Sequence, residues 1–136
     1  MAGGSTAYTA GEILNLILRA VAPTFPATMY LRLLTTPSTK STSGTEATFG
    51  AYVRIPLVRG TSLFTDPLLT GRSTNVDPIQ TDVPSSAGSD IVGFDIVNTA
   101  SGAFTQTYLF GTVTPARSVI IGKRIRFASG ALEVTC

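Results

Sequence analysis

Behind Pro26 the sequence never runs far without a chain breaker, and this limits the fold more than any other feature. Its apolar runs end at proline, glycine or a cluster of Ser, Thr, Asn and Asp, at lengths that suit strands and are too short for free-standing helices. Residues 28–35 (TMYLRLLT) alternate, with Met29, Leu31 and Leu33 on one face and Tyr30, Arg32 and Leu34 on the other. Residues 52–58 (YVRIPLV) form a second strand, in which Pro56 removes a ladder donor and predicts an edge or a bulge. Residues 76–83, hemmed by Pro78 and Pro84, hold at best a short strand. Residues 91–98, 105–112, 119–121, 124–128 and 131–135 complete the series, with Gly111, Gly122 and Gly130 predicted at bends or bulges. Residues 36–44 (TPSTKSTSG) are low in complexity and predict a mobile loop; residues 84–90 predict another. Residues 60–75, with Leu63, Phe64, Leu68 and Leu69, read as an excursion that partly packs back.

One helix signal precedes the strands. Thr9-Ala10-Gly11-Glu12 has the capping-box pattern, and Ile13, Leu14, Leu16, Ile17 and Val21 follow at helical spacing. The helix is predicted over residues 9–21, stopped by Pro23 and Pro26, and is short enough to need a packing partner. Residues 1–8, rich in Gly, Ser and Thr, read as a flexible arm, and residues 9–136 as one domain. A single helix and seven or eight short strands predict an all-β chain, a jelly-roll-like antiparallel β-sandwich with one short N-terminal α-helix.

The composition excludes several kinds of chemistry. The 136 residues suit one domain. Histidine is absent and Cys136 is the single cysteine, so no Ser-His-Asp or Cys-His pair, no Cys/His zinc site and no intrachain disulfide can form. The eight carboxylates (Glu12, Glu46, Asp66, Asp77, Asp82, Asp90, Asp95 and Glu133) show no spacing that pairs two of them across a cleft. No glycine-rich phosphate loop opens a helix. The chain therefore reads as a protein that is not an enzyme and uses no metal and no cofactor.

Eight of the ten cations are arginines, and they are scattered except for Lys123, Arg124 and Arg126. That is no dense basic stripe, so nucleic acid is not an expected partner. The most apolar stretch, residues 13–22, is too short to span a bilayer and holds Asn15 and Arg19, so no membrane partner is expected. In a strand, Arg124 and Arg126 share one face and Ile125 and Phe127 the other, either a solvated outer face or a cationic strip for an acidic protein surface.

Two segments resemble a known family. Gly44-Thr45-Glu46, a short step to Gly50, then Tyr52 and Arg54 match one of its patterns; Arg126-Phe127-Ala128, Gly130, Leu132 and Val134 match its terminal one. With the N-terminal helix and Ala27-Thr28-Met29-Tyr30-Leu31, they resemble small virion proteins of tailed bacteriophages, known as capsid cement (decoration) proteins or as tail-fibre-like proteins. Phe49 and Ala51 stand where glycines are common, and Lys123 where an acidic residue is common. The resemblance implies a self-associating jelly roll, as a homodimer or a trimer, on the outer capsid surface of the virion, with the major capsid protein as partner. Its cement role would be to stabilise contacts between capsomers. The candidate partner contacts are Arg54, Arg124, Arg126, Lys123, Phe49 and Tyr52. The alternative reading is a tail-fibre or host-recognition module; a carbohydrate-active enzyme on a jelly roll is disfavoured by the unpaired carboxylates.

Overall fold

The computed structural model describes residues 3–60, 63–65, 67, 71–104 and 106–135. Its largest layer is a five-stranded antiparallel sheet. In spatial order it holds β1 (Gly3–Ser5), β7 (Thr107–Val119), β6 (Gly88–Val97), β2 (Thr28–Leu34) and β3 (Ile55–Val58). Two ribbons make the opposing layer: β4 (Arg72–Thr74) pairs with β9 (Glu133–Thr135), and β5 (Ile79–Gln80) with β8 (Arg126–Phe127). This is the all-β sandwich with one short helix that the sequence predicts.

Alternation builds the core. Leu31 and Leu33 of β2 lie opposite Ile96 and Phe94 of β6, and all four are buried beside Ile125, Phe127, Leu132 and Val134 of the ribbon layer. Burial of four such side chains is worth roughly 1.5–3 kcal/mol each. The ribbon layer lacks a continuous ladder, and Asn75 replaces it. Buried at 1% exposure, its amide donates to the carbonyls of Asp77 and Ala128 and accepts from the Leu132 N–H.

Several elements differ from their predicted form. The two strands predicted at 105–112 and 119–121 are one strand, β7, with Thr105 itself outside the described residues. Ile91 lies opposite Arg117 but Gly93 opposite Thr112, so β7 bulges over the residues between, which include Pro115. Gly111 makes no bend. It sits opposite Phe94, where a Cβ would fall 2.6 Å from two carbons of that ring, so its bare backbone is what admits the ring. Gly122 and Gly130 do take positive φ, 81° and 79°, as the turn prediction requires. Pro56 lies on the edge strand β3, as predicted.

The N-terminal prediction is corrected more deeply. Residues 3–8 are not a free arm: β1 pairs with β7 at Gly3–Gly111, Gly4–Phe110 and Ser5–Leu109. The helix α1 (Ala7–Arg19) is capped by Thr6, not Thr9. The Thr6 hydroxyl accepts from the Thr9 N–H and donates to the Thr107 carbonyl, and the Thr6 N–H donates to the Tyr108 carbonyl. The sheet thus holds Thr6 at the cap, and tertiary pairing outweighs the local signal at Thr9. Glu12 falls inside the helix. Ala20 closes it in the left-handed region, φ 53°, so Val21 lies beyond its end.

Candidate functional site

The sheet face opposite the core carries a charged cluster. Arg32 on β2 lies directly across from Asp95 on β6. The pair is bidentate, Nε to Oδ1 at 2.8 Å and Nη2 to Oδ2 at 2.6 Å, and Asp95 is wholly buried. The Ser38 hydroxyl donates to Asp95 Oδ2 at 2.8 Å and accepts from the Gly44 N–H. Glu46 lies 3.7 Å from the Arg32 Nε. It also accepts from Arg54, whose other N–H groups reach the carbonyls of Thr99 and Gly102 and the Thr99 hydroxyl. The Phe104 ring lies against both guanidiniums, 4.4 Å from Arg32 and 5.6 Å from Arg54.

Two arginines and two carboxylates balance in charge; every nitrogen of Arg54 and both oxygens of Asp95 have a named partner, and Arg32 is held through Nε and Nη2. This is the condition under which buried ions are tolerated. Burial pulls the Arg32 guanidinium down, but the hydrogen bond and charge of Asp95, then Glu46, outweigh it and leave the group above its ordinary value. Desolvation pushes the Tyr52 phenol well above the usual tyrosine range. Its oxygen accepts from the Leu33 N–H, capping the end of β2 where β3 no longer pairs. Chemically the cluster is a staple. Asp95 and Glu46, the two acids that converge, are both held by arginine, and neither is presented as a free base. The segment predicted as a mobile loop, residues 36–44, is sewn to the sheet through Ser38, which is buried.

The predicted contact residues separate into two groups. Phe49 is buried, Tyr52 half-buried, and Arg54 is spent inside the staple. Lys123, Arg124 and Arg126 are exposed at the turn before β8 and along it, while Ile125 and Phe127 are buried, the alternation the sequence predicts. Arg32, Asp95 and Ser38 were not among the predicted site residues. The signal was one basic residue in TMYLRLLT and one acid in IVGFDIVN, each alone in an apolar strand.

Two apolar surfaces lie elsewhere. One is a groove of about 610 Å³, lined by Phe25, Met29, Leu57, Leu63, Phe64 and Leu109, with Thr9 of α1 at its margin. The other is α1 itself, in which no residue is buried. Tyr8 in the first turn of α1 and Phe25 beyond its end both pack on the Tyr108 ring, at 5.9 and 5.5 Å between centroids. Among the described residues no group of three or more His, Cys, Asp or Glu is placed to hold a metal ion. Among them too, no helix is long and apolar enough to cross a membrane.

Fold and site together define a small antiparallel β-sandwich with loops stapled to it by buried ions. Residues 4–135 match the family described as podophage GP4 fiber I protein gp80, and the chain belongs to that family. It is thus a bacteriophage virion protein. No curated protein sequence matches the chain.

Proposed function

We propose that this chain is a non-enzymatic structural component of a phage fibre, held in the virion by shape, area and charge. The observation that carries this reading is the extent of the family match, which spans nearly the whole sandwich and not a fragment of it. The family's description moves the reading from capsid cement, the first expectation, to its fibre alternative. The staple supports a mechanical role. It ties β2, β6 and residues 35–54 and 98–104 into one rigid body, so a load on the loops passes to the sheet.

In this reading the exposed strip of Lys123, Arg124 and Arg126 meets an acidic surface of a neighbouring virion protein. Charge-assisted, bidentate pairing is what arginine supplies at such a contact. Labelling of intact virions with an antibody to this chain, together with its ratio to the major capsid protein on a gel, tests the location. Label at the tail and a few copies per particle are expected. Label over the whole capsid at a copy number near that of the major capsid protein would restore the cement role and overturn the fibre.

A further inference from the structure

A polar cleft of about 320 Å³ lies between residues 39–43, the start of α1, and Phe104, Gln106 and Thr107 at the head of β7. Its size is at the lower end of small-molecule sites. The wall made by residues 39–43 is fixed from several sides. Ser38, just before it, donates to Asp95 and accepts from the Gly44 N–H just after it. The Lys40 carbonyl accepts from the Ala7 N–H of α1, and the Thr39 and Thr42 hydroxyls bond each other across the loop. A wall held in this way needs no ordering to receive a ligand, which lowers the entropic cost of binding.

Several polar side chains that line the cleft are unspent. Among the described residues, the Lys40 ammonium, the Ser41 and Ser43 hydroxyls and the Gln106 side-chain amide have no hydrogen-bond or ion-pair partner. The Thr107 hydroxyl is buried without a partner, a state that native structures seldom leave uncompensated. Beside these groups stands the Phe104 ring, backed at 4.4 Å by the Arg32 guanidinium and so positioned by the staple. Among the described residues no carboxylate lines the cleft.

We propose that this cleft binds a saccharide. Serine hydroxyls and a glutamine amide both donate and accept hydrogen bonds, as the adjacent hydroxyls of a sugar do. The negative face of an aromatic ring suits the weakly positive C–H face of a sugar ring. One ammonium and no carboxylate favour a neutral or acidic sugar over one that carries positive charge. An apolar ligand would cover these groups and leave them without bonds, at a cost in free energy. A peptide anchors through apolar sockets or an open strand edge, whereas most side chains lining this cleft are hydroxyl, amide or ammonium groups around one ring. The proposal goes beyond the fibre reading and does not rest on it.

The test is binding of the purified full chain to an array of bacterial surface oligosaccharides, followed by titration calorimetry with the strongest of them. The native sequence is compared with Lys40→Ala/Gln106→Ala. Neither replaced side chain is bonded in the free chain, so the melting temperature of the double variant is expected to match the native one, which separates lost binding from lost folding. Its affinity is expected to fall by roughly tenfold or more, the value of one or two lost hydrogen bonds. A native chain retained by no saccharide on the array overturns the proposal, and so does a double variant that binds as tightly as the native chain. Both results are read on the isolated chain, so neither touches the copy number and location by which the fibre reading is tested.

Discussion

On one flank of the sheet, Arg32, Asp95, Glu46 and Arg54 are charges drawn out of water; at the N-terminal end, Ile13, Leu14, Leu16, Ile17 and Leu18 are hydrocarbon left in it. Both invert the usual distribution, yet they differ in what completes them. Each buried charge has its partner on the same chain, through Ser38, Thr99 and Gly102 as well as the acids. Among the described residues, those five helix side chains remain 43–74% exposed. Buried charge tolerates no missing partner, whereas exposed hydrocarbon waits without structural penalty. A region that is complete in the single chain is therefore a stability element, and the exposed side chains of α1 add little to that chain's own stability.

Five variants bear on that contrast. The largest effect is expected for Asp95→Ala, which strands the Arg32 guanidinium and the Ser38 hydroxyl in the interior. It should lower unfolding stability by about 3–5 kcal/mol in a urea titration. Replacing both partners, as Arg32→Met with Asp95→Leu, should recover most of that loss, since no ion is then left unpaired. Arg54→Ala removes the bonds to Glu46, Thr99 and Gly102 and should cost about 2–3 kcal/mol by the same titration. A loss near zero would mean that residues 98–104 are not held by the staple.

Tyr52→Phe is smaller, about 1 kcal/mol, the value of the hydrogen bond to the Leu33 N–H. It also carries a pH signature. Burial raises the folded phenol's pKa, so above about pH 10 the unfolded chain loses its proton first. Stability is then full below that pH and declines as pH rises toward the folded value. Tyr108 is displaced in the same direction by burial and adds to the decline. Tyr52→Phe should make the alkaline slope shallower, and an unchanged slope would assign it to Tyr108 and other groups. The smallest effect on folding belongs to the helix. Leu18→Gln should change monomer stability by no more than about 0.5 kcal/mol. A loss several times larger would show that α1 is packed within its own chain and would erase the contrast.

The strands were readable from residues alone wherever one face is apolar. TMYLRLLT declares itself by alternation, IVGFDIVN as a short apolar run ending at a turn, and Lys123-Arg124-Ile125-Arg126-Phe127 shows which cations stay outside. The staple was not readable. Arg32 and Asp95 are 63 residues apart, and nothing near either one names the other. Tyr52, Phe49 and Arg54 stood out in a recognisable pattern, but the pattern could not say that they point inward. The helix start is ambiguous in the sequence because two threonines three residues apart can each cap, and only the bonds of Thr6 to β7 choose between them.

Sequence by itself determined the class: short alternating runs between breakers make strands, and the absence of histidine and of a second cysteine removes imidazole-based catalysis and intrachain disulfides. These are local properties, carried by neighbouring residues, and no fold can alter them. Tertiary structure decided the pairing of Arg32 with Asp95, the space at Gly111 for the Phe94 ring, the cap at Thr6 and the outward aim of α1. Each depends on which distant segments meet, and that is set by the energy of the whole packed chain and not by any stretch of it.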